Sequence, residues 1–162
     1  MIFKQREIED ECLFFEVSRD AGWLTNIKEI AEEKGDTKLT SPILFSAGIE
    51  KMGGQLRVSG ELSFEMVSLC SRCLNGAKKG VSRRIDSFFP VPEEGGNVID
   101  ISDEMREQVA MAMPERLVCA GDCKGLCPGC GANLNEQTCG CTEAEAENSK
   151  FNALKNLPVT AG

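Results

Sequence analysis

The sequence predicts an α+β fold: an antiparallel sheet, open or barrel-like, with two main helices and a C-terminal cysteine-rich segment. Three observations predict it. Apolar and polar side chains alternate with a period of two along much of residues 55–89, the signature of strands with one face buried. Two stretches, 25–34 and 102–113, change to helical spacing. Eight of nine cysteines fall in close pairs, most of them after the second of those stretches.

The elements follow in order. Leu13-Phe14-Phe15 predicts a first strand. Thr25 can cap a helix whose face carries Ile27, Ile30 and Ala31, with Gly35 ending it. Ile43-Leu44-Phe45 to Ile49 starts a meander that turns at Gly53-Gly54. Leu56, Val58, Gly60, Leu62, Phe64 and Met66 then share one face. Asn75-Gly76 is the expected tight hairpin turn, and Val81, Arg83 and Ile85 alternate beyond it. Pro90 and Pro92 close the sheet region, and 92–96 is a loop. Val98 to Ile101 adds a short extended piece. Ser102 or Asp103 begins the second helix, and Pro114 stops it because proline cannot donate to the helical ladder. Phe151, Leu154 and Leu157 return to helical spacing in the tail.

A chain of 162 residues suits one domain with a small appendage. Its expected organisation is an α+β sheet domain over 1–113 and a cysteine-rich segment over 114–141, followed by an acidic spacer and short helix over 142–162. With no histidine, Ser-His-Asp and Cys-His catalysis are excluded, as is every His-ligated metal. A net charge of −8 excludes a uniformly basic nucleic-acid coat. The N-terminus lacks the apolar stretch of a signal peptide, and no run approaches a membrane span. The expectation is a cytoplasmic protein with no membrane partner and no small-molecule substrate.

In a reducing compartment, clustered cysteines read as metal ligands rather than disulfides. The spacings are C-x2-C at 70/73, C-x3-C at 119/123, C-x2-C at 127/130 and C-x-C at 139/141. A C-x2-C pair on a tight turn aims two thiolates at one point, and two pairs complete a tetrahedral site suited to zinc. Two sites are expected: Cys70, Cys73, Cys119 and Cys123, then Cys127, Cys130, Cys139 and Cys141. Other partitions stay open, because Cys123 and Cys127 are close in sequence. The first set joins a strand end to the chain beyond the second helix, so the zinc segment packs on the main domain through Cys70 and Cys73. Closed four-thiolate sites leave no position for a reacting water, so the expectation is a non-enzyme with no catalytic residue. Cys12, left over beside an apolar stretch, is expected as a buried packing residue. Trp23 and the phenylalanines are expected in the core.

Between Met66 and Ile85 there is no acid, while Arg72, Lys78, Lys79, Arg83 and Arg84 are basic. They are candidate nucleic-acid contacts. The competing reading is that they offset nearby anionic thiolates on a solvated hairpin.

Cys123-Lys-Gly-Leu-Cys127-Pro-Gly-Cys130-Gly-Ala-Asn133-Leu134-Asn135, with Cys139-Gly-Cys141, resembles the signature of the YceD family of large ribosomal RNA subunit accumulation proteins. Leu69-Cys70-Ser-Arg-Cys73-Leu74 resembles that family's first C-x2-C, and Met113-Pro114 before Leu117-Val118-Cys119 resembles its helix exit. The resemblance implies bacterial ribosome biogenesis and accumulation of 23S rRNA. The expected partner is a ribosomal RNA precursor or a basic large-subunit ribosomal protein. An iron-tetrathiolate electron carrier and a redox-switched zinc chaperone are the alternatives that the thiolate count permits.

Overall fold

The computed structural model describes residues 1–8, 12–32, 35–91 and 98–141. Its centre is a five-stranded antiparallel sheet that stays open. Strands β1 (Ile2–Lys4), β2 (Leu13–Arg19), β3 (Lys38–Leu39), β4 (Ile43–Met52), β5 (Gln55–Leu69), β6 (Gly76–Pro90) and β7 (Val98–Asp100) run in chain order. The lateral order is β2-β4-β5-β6. The two-residue β3 continues the β4 side of β5, pairing Lys38 with Val67 and Leu39 with Met66. β1 and β7 form a separate antiparallel pair.

The long ribbon of β5 and β6 follows from the alternation in the sequence. Register runs from Gln55 opposite Pro90 to Leu69 opposite Gly76, so on the inner face Leu56 meets Phe89 and Phe64 meets Val81, while Leu62 and Met66 lie opposite Arg83 and Lys79. Leu56, Val58, Leu62, Phe64 and Met66 are buried with Ile43, Phe45 and Ile49 of β4 and Ile85 of β6. The turn between β4 and β5 uses Gly53 and Gly54, both with positive φ (59° and 81°), the backbone that a two-residue hairpin requires.

The inner face is covered by α1 (Gln5–Ile8), α2 (Lys28–Ala31) and α3 (Ser102–Ala112). Met105 and Val109 of α3 are fully buried in the core, with Leu24, Ile30 and Ile101. Trp23 lies edge-on to Phe45 (5.7 Å) and under the Arg106 guanidinium (4.9 Å), which also donates to the Trp23 carbonyl. The Asp100 carboxylate accepts from the Ser102 amide at 2.9 Å at the start of α3. The opposite face of the sheet is open to solvent, as antiparallel sheets allow. Phe14 (80% exposed) and Phe88 lie on it rather than in the core.

Two expected elements differ. Over the described residues 25–32, the expected helix contracts to the single turn of α2: the Thr25 amide bonds back to the Trp23 carbonyl (2.9 Å), and the residue before the helix is Ile27, which provides no side-chain cap. Asn75-Gly76 is not a two-residue turn: six residues, 70–75, separate β5 from β6. Cys12 is exposed, not buried. It precedes β2 on the side of the chain that carries Phe14, so the period of two turns it outward. The tail helix and the 92–96 loop lie outside the described residues.

Candidate metal centres

The cysteine side chains are placed by backbone knuckles. In the first, the Leu74 amide donates to the Cys70 carbonyl (3.0 Å), and Leu74 takes a positive φ of 60°. In the second, the Gly131 amide donates to the Cys127 carbonyl (2.9 Å) with φ 74°. The two C-x2-C turns therefore share one geometry, with the fifth residue left-handed in both. Glycine suits that place; leucine tolerates it at a cost of about 1 kcal/mol.

The thiols gather into two groups: Cys70, Cys73, Cys119 and Cys123, and Cys127, Cys130, Cys139 and Cys141, with the sulfurs of each group within 4.8 Å of one another. Cys70 Sγ is 3.9 Å from Cys123 Sγ, and Cys73 Sγ is 3.6 Å from Cys119 Sγ. Cys127 and Cys139 sulfurs are 3.3 Å apart. A tetrahedral zinc with bonds of ~2.3 Å needs sulfurs roughly 3.8 Å apart. The donor set and spacing fit a thiophilic ion, and all nine cysteines are free thiols.

The first group is the deeper. Cys70, Cys73 and Cys123 are buried with Ala77 and Leu117 in a small cluster of their own, and Cys119 is exposed. Leu117 is tied to the first knuckle by its carbonyl, which accepts from the Ser71 amide (2.8 Å) and hydroxyl (3.1 Å). In the second group Cys127 is buried, Cys139 and Cys141 are half-buried and Cys130 is exposed.

Backbone amides help to prepare sulfurs in both groups for charge. N–H groups of Cys73 and Arg72 hold the Cys70 thiol down to about 6, and those of Cys130 and Gly129 do the same for Cys127. Sulfur neighbours have the opposite effect. Cys123 and Cys73 push Cys119 up to about 12, and Cys130 and Cys127 push Cys141 to about 12. Four thiolates at this spacing repel one another, and a divalent cation relieves that repulsion.

Residues outside the cysteines hold the groups together. The Arg72 guanidinium donates to the Cys123 carbonyl (3.0 Å), and the Arg72 carbonyl accepts from the Leu126 amide (2.9 Å). Gly125, at φ 77°, passes so close that a Cβ there would lie 3.1 Å from the Arg72 oxygen. The Asn135 carboxamide donates to Cys123 Sγ (3.4 Å) and accepts from the Lys124 amide (2.8 Å). Asn133 and Glu136 connect it to Asn75. Asn133, Asn135 and Glu136 had no expected role beside the thiols, although the Asn133-Leu134-Asn135 run lies inside the cysteine motif.

The five basic candidates do not form one patch. Lys78 and Arg84 fall on the open face of β6, opposite Val67 and Glu61, and Lys78 pairs with Glu65 at 2.8 Å. Lys79 and Arg83 fall on the other face, and Arg83 donates to the Met111 carbonyl of α3. Arg72 belongs to the knuckle. No helix among the described residues is long and apolar enough to cross a membrane.

The family model described as large ribosomal RNA subunit accumulation protein YceD matches residues 58–158. An uncharacterized protein of Mycobacterium tuberculosis is 29% identical over 100 residues, covering 53% of this chain and 48% of its own. A chloroplastic protein of Zea mays, named large ribosomal RNA subunit accumulation protein YCED homolog 1, is 27% identical over 143 residues, covering 63% and 48%. Its namesake in Arabidopsis thaliana is 39% identical over 59 residues, covering 36% and 18%. The chain spans about half the length of most of these relatives, and less of the last. No solved structure gives a significant match.

Proposed function

This chain belongs to the YceD family of large ribosomal RNA subunit accumulation proteins, and from that premise we propose that it acts in ribosome biogenesis as a non-enzymatic zinc-binding protein. The observation that carries the reading is the extent of the match: residues 58–158 contain both four-cysteine groups and the β5–β6 ribbon from Val58 onward. Cys70, Cys73, Cys119 and Cys123 would hold one zinc, and Cys127, Cys130, Cys139 and Cys141 the other. Bound zinc supplies cross-linking and charge neutralisation. With four protein ligands it has no open position for water, which supports a binding role over a catalytic one.

The partner in this reading is a ribosomal RNA precursor or a basic large-subunit ribosomal protein, met in the cytoplasm. Charge favours the protein. The formal charge is −8, and each zinc tetrathiolate adds −2, so the loaded chain carries about −12. Bare RNA is repelled by such a surface except at local cations, whereas a basic ribosomal protein is attracted. In the same complex the RNA runs along the edge of β6 that is left free among the described residues, where the cations of its two faces can each reach it.

Depletion is expected to lower mature large-subunit rRNA several-fold relative to small-subunit rRNA, with rescue by the intact chain. An unchanged ratio overturns the biogenesis reading. Lys78→Glu with Lys79→Glu is expected to weaken crosslinking to the rRNA precursor about tenfold without altering circular dichroism. The Lys78–Glu65 pair is exposed, so its loss costs the fold little. Equal crosslinking in the variant removes β6 as the RNA edge. Metal analysis of anaerobically purified protein is expected to return two zincs; iron brings forward the electron-carrier reading.

A further inference from the structure

We propose that Asn135 couples the two four-cysteine groups, so that metal at either one tightens metal at the other. The proposal rests on the metal reading above.

Asn135 lies in the chain between Cys130 and Cys139, inside the loop that the second group closes. Its side chain nonetheless serves the first group, donating to Cys123 Sγ at 3.4 Å. Three further hydrogen bonds hold Asn135 in that pose, two through the carboxamide and one through the backbone. The carboxamide oxygen accepts from the Lys124 amide at 2.8 Å, the carboxamide nitrogen also donates to Asn133 Oδ1 at 2.9 Å, and the backbone amide donates to that same Asn133 oxygen at 3.1 Å. Asn133 in turn donates to Glu136 Oε1 (2.9 Å), which accepts from Asn75 at the exit of the first knuckle (2.8 Å). The Leu134 amide pins the same loop to the Gly125 carbonyl (2.9 Å), between the pairs Cys119/Cys123 and Cys127/Cys130. A polar path thus leaves the first knuckle at Asn75, crosses the loop of the second group and returns to a sulfur of the first.

The physical consequence is a shared ordering cost. Metal on Cys127, Cys130, Cys139 and Cys141 closes the loop that contains 131–138, and so removes the freedom that Asn135 must otherwise surrender when it docks on Cys123. An N–H donor on a thiolate stabilises its charge, and loss of such an outer partner of a ligand typically lowers metal affinity 10–100-fold. Linkage then requires the effect to run both ways by the same factor.

Zinc affinity would be measured by competition with a chromophoric chelator on the reduced full chain, using the intact sequence, Asn135→Ala, Cys139→Ser and the double variant. Cys139→Ser removes a ligand from the second group and touches none of the first. Asn135→Ala is expected to weaken the first site about tenfold or more. Cys139→Ser is expected to weaken that same site by a comparable factor, and the double variant no further, because both act through one contact. Cys73→Ser is expected to weaken the second site by the factor that Cys139→Ser costs the first. If Asn135→Ala fails to fold, Asn135→Asp keeps the size and the acceptor for Lys124 while removing the N–H donor. With cobalt in place of zinc, either variant is expected to shift the sulfur-to-metal charge-transfer band of the first site. A first site within twofold of normal in Cys139→Ser, or losses that multiply in the double variant, overturns the coupling. An intact chain that takes up no zinc overturns the metal reading instead.

Discussion

A Cβ on Gly60 would lie 2.3 Å from the Ser46 carbonyl oxygen and 2.4 Å from Ala47 Cα. β4 and β5 meet here across the pair Ala47 and Gly60 because position 60 carries no side chain. Gly60→Ala is therefore expected to destabilise the sheet by about 3 kcal/mol or more, read as a lowered urea midpoint. A change below about 1 kcal/mol would mean that the strands can separate freely at this point. The alternation in the sequence places Gly60 on the buried face but says nothing of how close the next strand comes, since that distance is set by a partner strand. Cys12 teaches the same lesson from the other side. Its neighbours Leu13 and Phe15 point inward, and so the exposed cysteine points out with Phe14. Average hydrophobicity suggested burial; position in the pleat decided exposure.

At the scale of elements, the six residues 70–75 convert a hairpin turn into a ligand-bearing knuckle. Cys70→Ser and Cys127→Ser are each expected to lower the metal content by about one ion per chain, since they fall in different groups. Inductively coupled plasma analysis measures this directly, and a single variant retaining both ions at normal affinity would show the ligand sets to be wrong. The long strands, α3 with its Pro114 stop and the pairing of cysteines were legible because each depends on spacing within one segment. The Asn75-Gly76 turn was misread because a local turn signal competes with a long-range demand. Cys73 meets Cys119 only after α3 has brought the chain back, and Leu74 rather than glycine takes the left-handed place. Likewise α2 shortens because Leu24, fully buried, fixes the chain before it: the Ile27 amide bonds to the Leu24 carbonyl at 2.9 Å.

At the scale of the whole molecule, the described residues form two cores of different kinds. The larger, built on β4, β5 and α3, is apolar and contains no ligand. The smaller is Cys70, Cys73, Ala77, Leu117 and Cys123, in which three of the five residues are cysteines. A strong chelator is therefore expected to abolish amide-exchange protection over 117–141 and at 70–76 while leaving β2, β4 and the 55–64 part of β5 protected. Hydrogen exchange with and without chelator tests this, and uniform loss of protection would mean that the sheet cannot stand without metal. The sequence could not separate these cores, because Leu117 reads as one more apolar residue until the Ser71 contacts tie it to the knuckle.

The knuckle at the tip of the longest ribbon also has a place in time. Cys73 and Cys119 meet across 46 residues. At a synthesis rate of roughly 5–20 residues per second, Cys70 and Cys73 leave the peptidyl-transferase centre about 2–9 s before Cys119 is made. During that interval the nascent chain holds a two-sulfur half-site with no second pair to close it. A pause in translation between the two pairs prolongs the interval and leaves those thiols open to oxidants, so the codons spanning β6 and α3 set how long each new molecule spends half-built.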